Sequence, residues 1–94
     1  MTTKKKYFYG TGKRKASIAR VKVFSTAGNI IVNGKDIKEA LGMDDLVNIA
    51  LLPLRLTDND KLSAEIKTHG GGLSGQSGAI SLGLARALCV MDET

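Results

Sequence analysis

From Ala19 to Val23 apolar and cationic side chains alternate one for one, with Ala19, Val21 and Val23 on one side and Arg20 and Lys22 on the other. A period of two belongs to a strand with one buried and one wet face. A short aromatic run, Tyr7 to Gly10, precedes it, and the glycines of GTGKRKAS predict a break between the two. The pair reads as a β-hairpin with a basic tip at Lys13 to Lys15. STAGN is a turn. IIVNG is a further strand, closed by Asn33 and Gly34, a dipeptide that accepts the left-handed backbone of a tight turn.

The period then changes. Asp36 stands three residues before Glu39, the spacing of a capping box, and Gly42 is placed to end a short helix in the left-handed conformation. Asp44 and Asp45 open a second helix in which Leu46, Ile49 and Ala50 are expected to share the buried face. Pro53 limits that helix, because proline inside a helix deletes a hydrogen bond, so Leu54 to Asp60 is expected to be irregular or extended. KLSAEIKTH alternates again, Leu62, Ala64 and Ile66 against Ser63, Glu65 and Lys67. After a run of glycines, Ile80, Leu84, Leu88 and Met91 recur at three- and four-residue steps, which predicts an amphipathic last helix. The order of elements predicts an α+β fold, a two-layer sandwich of sheet and helices. With 94 residues the chain is expected to be one domain, a basic N-terminal hairpin over residues 1–24 and a body over residues 25–94.

Charge sharpens that division. The first 24 residues hold eight bases and no acid, whereas the remainder holds six bases and nine acids, for a net charge of +5. A basic arm on a mildly acidic body suits a polyanion. Cys89 is the one cysteine, so an intrachain disulfide or a cysteine metal cluster is excluded. No segment approaches the roughly 18 apolar residues of a membrane span, and the start has no apolar core for a signal peptide. A cytoplasmic or organelle-interior protein without a membrane association is expected.

The densest chemistry lies in THGGGLSGQSGA, since a glycine-rich turn opening a helix gathers backbone N–H groups and the positive end of the helix dipole. Gly70, Gly72 and Gly75 match G-x-G-x-x-G, but no second parallel strand or ribose-binding acid follows the helix, as a dinucleotide site requires. Gly70 and Gly75 also have P-loop spacing, but Gln76 and Ser77 stand where Lys and then Ser or Thr are needed. A bland reading remains, that the glycines only let helix and sheet approach. Uncharged amides beside a cationic hairpin suit many phosphates on an extended backbone better than one nucleotide.

GGGLSGQSGAISLGLARAL, Gly70 to Leu88, resembles the signature of the ninth ribosomal small-subunit protein family. YGTGKRKASIARV from Tyr9, VNGKDI from Val32 and PLRLTD from Pro53 are similar to other blocks of that family in the same order. The resemblance implies a structural, non-enzymatic constituent of the small subunit without a cofactor, bound to small-subunit rRNA and neighbouring proteins of the head. It also implies the fold of the second domain of the fifth small-subunit protein, with a left-handed βαβ crossover. Members continue into a long basic extension that reaches peptidyl-site transfer RNA. These 94 residues stop at CVMDET, so that contact is not expected of them. A freestanding RNA-binding adaptor or a small phosphate-binding enzyme of related fold are the alternatives.

The residues expected to touch RNA follow. Lys13, Arg14 and Lys15 at the tip, with Arg20 and Lys22 on the wet face, are assigned to phosphates, and Lys4, Lys5 and Lys6 either thread along RNA or stay in solvent. Gly71, Gly72, Ser74, Gly75 and Gln76 are assigned to the RNA backbone and 2′-hydroxyls through main-chain and side-chain donors. Arg86 in the last helix serves equally as an RNA contact or as cover for apolar surface. Tyr7, Phe8 and Tyr9 offer stacking faces, yet with aromatics at 4% of the chain one or two are expected in the core. His69 is read as a surface or RNA-facing imidazole, and Cys89 as a small packed residue.

Overall fold

The computed structural model describes residues 7–57 and 62–93. Strands β1 (Tyr7–Arg14) and β2 (Ser17–Ala27) form an antiparallel hairpin, followed by β3 (Ile30–Val32) and β4 (Lys35–Asp36). Helices α1 (Ile37–Leu41) and α2 (Asp44–Leu56) lead to β5 (Leu62–His69), and α3 (Leu73–Glu93) completes the order. The five strands make one sheet in the order β1-β2-β5-β3-β4. Pairing is antiparallel except between β3 and β5, which run parallel because α1 and α2 lie in the connection between them. The architecture is α+β, as the periodicities predict.

The strand that alternates most regularly is also the centre of the core: Ala19, Val21 and Val23 are fully buried. Ala64 and Ile66 of β5 continue the same face, and the stripe Ile80, Leu84 and Leu88 of α3 lies over it. Met91, the fourth member of that stripe, is partly buried at its edge. Arg20 is exposed and Lys22 half-buried on the opposite side. One face of the sheet is therefore dry and the other wet.

Four local expectations need correction, the first being the STAGN turn: β2 runs on through Ser25 to Ala27, and only Gly28 and Asn29 lie between it and β3. Gly10 and Gly12 do not interrupt β1, which runs unbroken to Arg14, so the turn itself is the two residues Lys15 and Ala16. The physical reason is that both glycines lie under α3: a Cβ on Gly12 would collide with the Ala79 carbonyl oxygen, and one on Gly10 with that of Gly83. The second helix does not stop at Pro53 but runs through it to Leu56. Leu54 is only 2% exposed. Its burial, at about 2 kcal/mol, together with the Thr57 hydroxyl donating to the Pro53 carbonyl at 2.8 Å, offsets much of the roughly 3 kcal/mol that an interior proline costs. The buried stripe of α2 is Val47, Ala50 and Leu54, and Ile49 points outward at 50% exposure.

Two turns form as the sequence predicts. Asn33 and Gly34 both take positive φ in the turn between β3 and β4, and Gly42 ends α1 at φ 76°, donating its N–H to the Lys38 carbonyl at 2.9 Å. The Asp36 carboxylate caps α1 by accepting from the Lys38 amide at 3.2 Å.

Candidate nucleic-acid interface

The register of the hairpin decides where its cations go. Arg14 pairs with Ser17, so Lys15 and Ala16 project beyond the sheet, Lys15 with φ 56°. Ser17 is buried, and its hydroxyl donates to the Gly70 carbonyl at 2.9 Å. This bond joins residues 53 apart in sequence and holds the cationic turn against the glycine-rich loop.

The loop has the shape that its glycines permit. Gly70 and Gly71 take positive φ, 80° and 63°, and both lie so close to Ala16 and Ser17 that a side chain at either would strike the hairpin. A second set of bonds braces the loop from the other side. The Thr68 amide donates to Asn33 Oδ1, and Asn33 Nδ2 donates to Thr68 Oγ1, each at 2.9 Å. Thr68 Oγ1 in turn donates to Gln76 Oε1 at 3.3 Å, and Gln76 Nε2 donates to the Gly70 carbonyl at 3.4 Å. Gln76, assigned above to RNA, thus uses one of its two N–H donors inside the loop. The sequence marks Asn33 only as a turn residue and does not single out Thr68 or Ser17, because their bonds in the loop depend on strand neighbours that a linear pattern does not show.

Helix α3 starts directly after the loop. Its first internal bond runs from the Gln76 amide to the Gly72 carbonyl at 3.0 Å, which leaves the amides of Leu73, Ser74 and Gly75 without intrahelical acceptors. Gly72 has no side chain with which to cap them, and the first turn contains no acid. The positive end of the dipole is therefore uncompensated. Gly72 and Ser74 are exposed there, whereas Gly75 is buried against Ser17.

The other expected RNA contacts divide between two places. Lys13, Arg14 and Lys15 are exposed at the loop end, the Arg14 stem lying over Gly78. Arg20 and Lys22 lie on the open face of the sheet, where Arg20 is opposite Lys67 and Lys22 opposite Glu65. Lys67 completes this patch and could have been found from the wet side of KLSAEIKTH only if the pairing register had been known. Arg86 is exposed but tethered, its guanidinium donating to the Thr11 carbonyl of edge strand β1 at 3.0 Å. His69 is exposed at the end of β5, opposite Ile18. Lys4, Lys5 and Lys6 lie outside the described residues.

The three aromatics of β1 divide between the two faces of the sheet. Tyr7 and Tyr9 are 48% and 44% exposed, and only Phe8 turns partly toward the core. Cys89 is also exposed, beside the apolar groove between α2 and α3. Among the described residues, no group of His, Cys, Asp and Glu could hold a metal ion, and no helix is long and apolar enough to cross a membrane.

The cationic turn and the glycine-rich loop thus lie side by side, joined by the bond from Ser17 to Gly70. The description "Ribosomal protein S9/S16" belongs to the family whose model matches residues 12–94. Two strains of Dehalococcoides mccartyi have a "small ribosomal subunit protein uS9" that is 46% identical to this chain over 94 residues, covering 99% of the chain and 71% of that protein. The protein of the same name from Borreliella burgdorferi is 46% identical over 86 residues, covering 90% of the chain and 63% of its own length. The chain belongs to the ribosomal protein S9/S16 family, and it is a structural protein rather than an enzyme.

Proposed function

We propose that the chain is a structural constituent of the small ribosomal subunit, seated in the head, and that it grips ribosomal RNA where the hairpin turn meets the glycine-rich loop. The observation that carries this reading is the 2.9 Å bond from Ser17 to Gly70, which seats the cationic turn against the loop, where Arg14 lines one depression with Ser74 and Gly78 at the start of α3. Full cations supply affinity for phosphates, and neutral amides supply directional donors. Gly71, Gly72 and Ser74 approach the sugar-phosphate backbone, Gly75 and Gln76 shape the loop, and Arg20 and Lys22 extend the cationic track. Arg86 adds a contact at its flank, and Lys4, Lys5 and Lys6 supply further charge for RNA. Neighbouring head proteins and the cytoplasmic or organellar ribosome complete the setting.

Two measurements test it. The chain should co-sediment with small subunits in a sucrose gradient; a free protein that stays at the top rejects the ribosomal role. If about six phosphates are neutralised, the logarithm of the RNA affinity constant should fall by about 4 to 5 per tenfold rise in salt. A flat salt response rejects the phosphate grip.

A further inference from the structure

The wet face of the sheet carries more than charge. Register sets Tyr9 opposite Lys22, and Lys22 opposite Glu65, across β1, β2 and β5. Arg20 and Lys67 form the next row, and these five side chains line a depression of about 210 Å³. Tyr7, one step along, is already engaged: Lys22 Nζ lies 5.0 Å from its ring centre, and Phe24 meets it edge-on at 6.0 Å. Tyr9 has no such partner among the described residues, nor has the Glu65 carboxylate. An aromatic face, an unpaired acceptor and three cations thus converge on one concave site.

We propose that this depression takes a single unpaired nucleotide of RNA, its base stacked on Tyr9, its phosphates on Arg20 and Lys67, and its N–H edge on Glu65. The proposal rests on the RNA-binding reading above and adds a base-recognising subsite to it. Charge and chemistry together choose this occupant. Three cations against one carboxylate favour an anion, but an acidic peptide would meet Glu65 with its own charge and leave Tyr9 unused. A duplex presents phosphates while hiding its base faces. An unpaired nucleotide alone offers phosphate, π-face and N–H edge at once. Guanine fits best, because its N1–H and N2 amino groups are two adjacent donors that one carboxylate can accept together. Adenine and cytosine offer one amino group. Uracil sets carbonyl oxygens beside its single N–H and fits worst.

Binding of the 94-residue chain to a fluorescent single-stranded GAGAGA ribohexamer, to hexauridine and to a blunt RNA duplex tests this. The chain should prefer GAGAGA to hexauridine. Tyr9→Ala should weaken GAGAGA binding about tenfold while leaving the duplex unaffected, and Tyr9→Phe should behave as the parent. Glu65→Gln should flatten the preference for guanine. Thermal melting confirms that each variant is folded. Unchanged GAGAGA binding by folded Tyr9→Ala, an equal loss in Tyr9→Phe, or no preference between the hexamers overturns the subsite. The two readings separate through Lys15→Ala combined with Gly72→Val. Weakening of the duplex by that pair, with Tyr9→Ala silent, keeps the loop grip and rejects the subsite. The reverse pattern keeps the subsite and rejects the grip.

Discussion

Glycines do opposite work in two regions of this molecule. At the seam between β1 and α3, Gly10, Gly12 and Gly83 are buried and bring a helix backbone against a strand backbone, with no space for a methyl group. At the loop, Gly70 and Gly71 are exposed and take positive φ, and Gly72 has open space on the side where a side chain would lie. The first set is demanded by packing alone, whereas Gly70 and Gly71 are demanded both by their positive φ and by their closeness to Ala16 and Ser17. Within the loop segment itself, Gly75 and Gly78 lie close against Ser17 and Arg14, whereas Gly72 is open.

Substitution should separate the two regions most sharply at Gly12. Gly12→Ala forces its methyl against the Ala79 carbonyl, a backbone atom that cannot rotate away, and should cost about 3 kcal/mol in chemical denaturation. A variant as stable as the parent would show the seam to be loose. Ser17→Ala, at the junction of the hairpin and the loop, removes the donor to Gly70 and should cost about 1 kcal/mol. Hydrogen exchange should rise at the loop amides and not in α3 beyond Ile80; equal acceleration everywhere would mean that the bond braces the whole fold. The smallest effect on stability belongs to Gly72→Val, below about 0.5 kcal/mol, since the position is open. RNA affinity should nevertheless drop severalfold as the valine shields the first-turn amides. A folded Gly72→Val that binds RNA like the parent removes the loop from the interface.

The local rules that sequence obeys held where neighbours agree with them. Alternation identified β2 and β5, and the Asn33–Gly34 turn and the Gly42 cap depend on backbone preferences of one or two residues. Failures occurred where a distant element changed the outcome. Gly10 and Gly12 look like strand breakers until α3 is placed on them, and Pro53 looks like a stop until Leu54 is seen in the core. Ile49 was assigned inward because α2 has several apolar positions, and the packing of α3 selects Val47, Ala50 and Leu54 instead. The cations of the hairpin were legible as a group. Their meeting with the loop was not, because it depends on β5 lying beside β2, a pairing that joins residues about 50 positions apart.

The seam also orders events in time. Strand β1 is made early by the growing chain, yet its inner surface is mostly glycine backbone with Phe8 and offers little to bury until α3 has emerged and laid itself across it. Until then the cationic turn has no loop to lean on, because Gly70 is delivered by the same late segment. Synthesis therefore makes the cationic hairpin 53 residues ahead of the loop that braces it, and the turn takes its final seat only once that later segment has folded back.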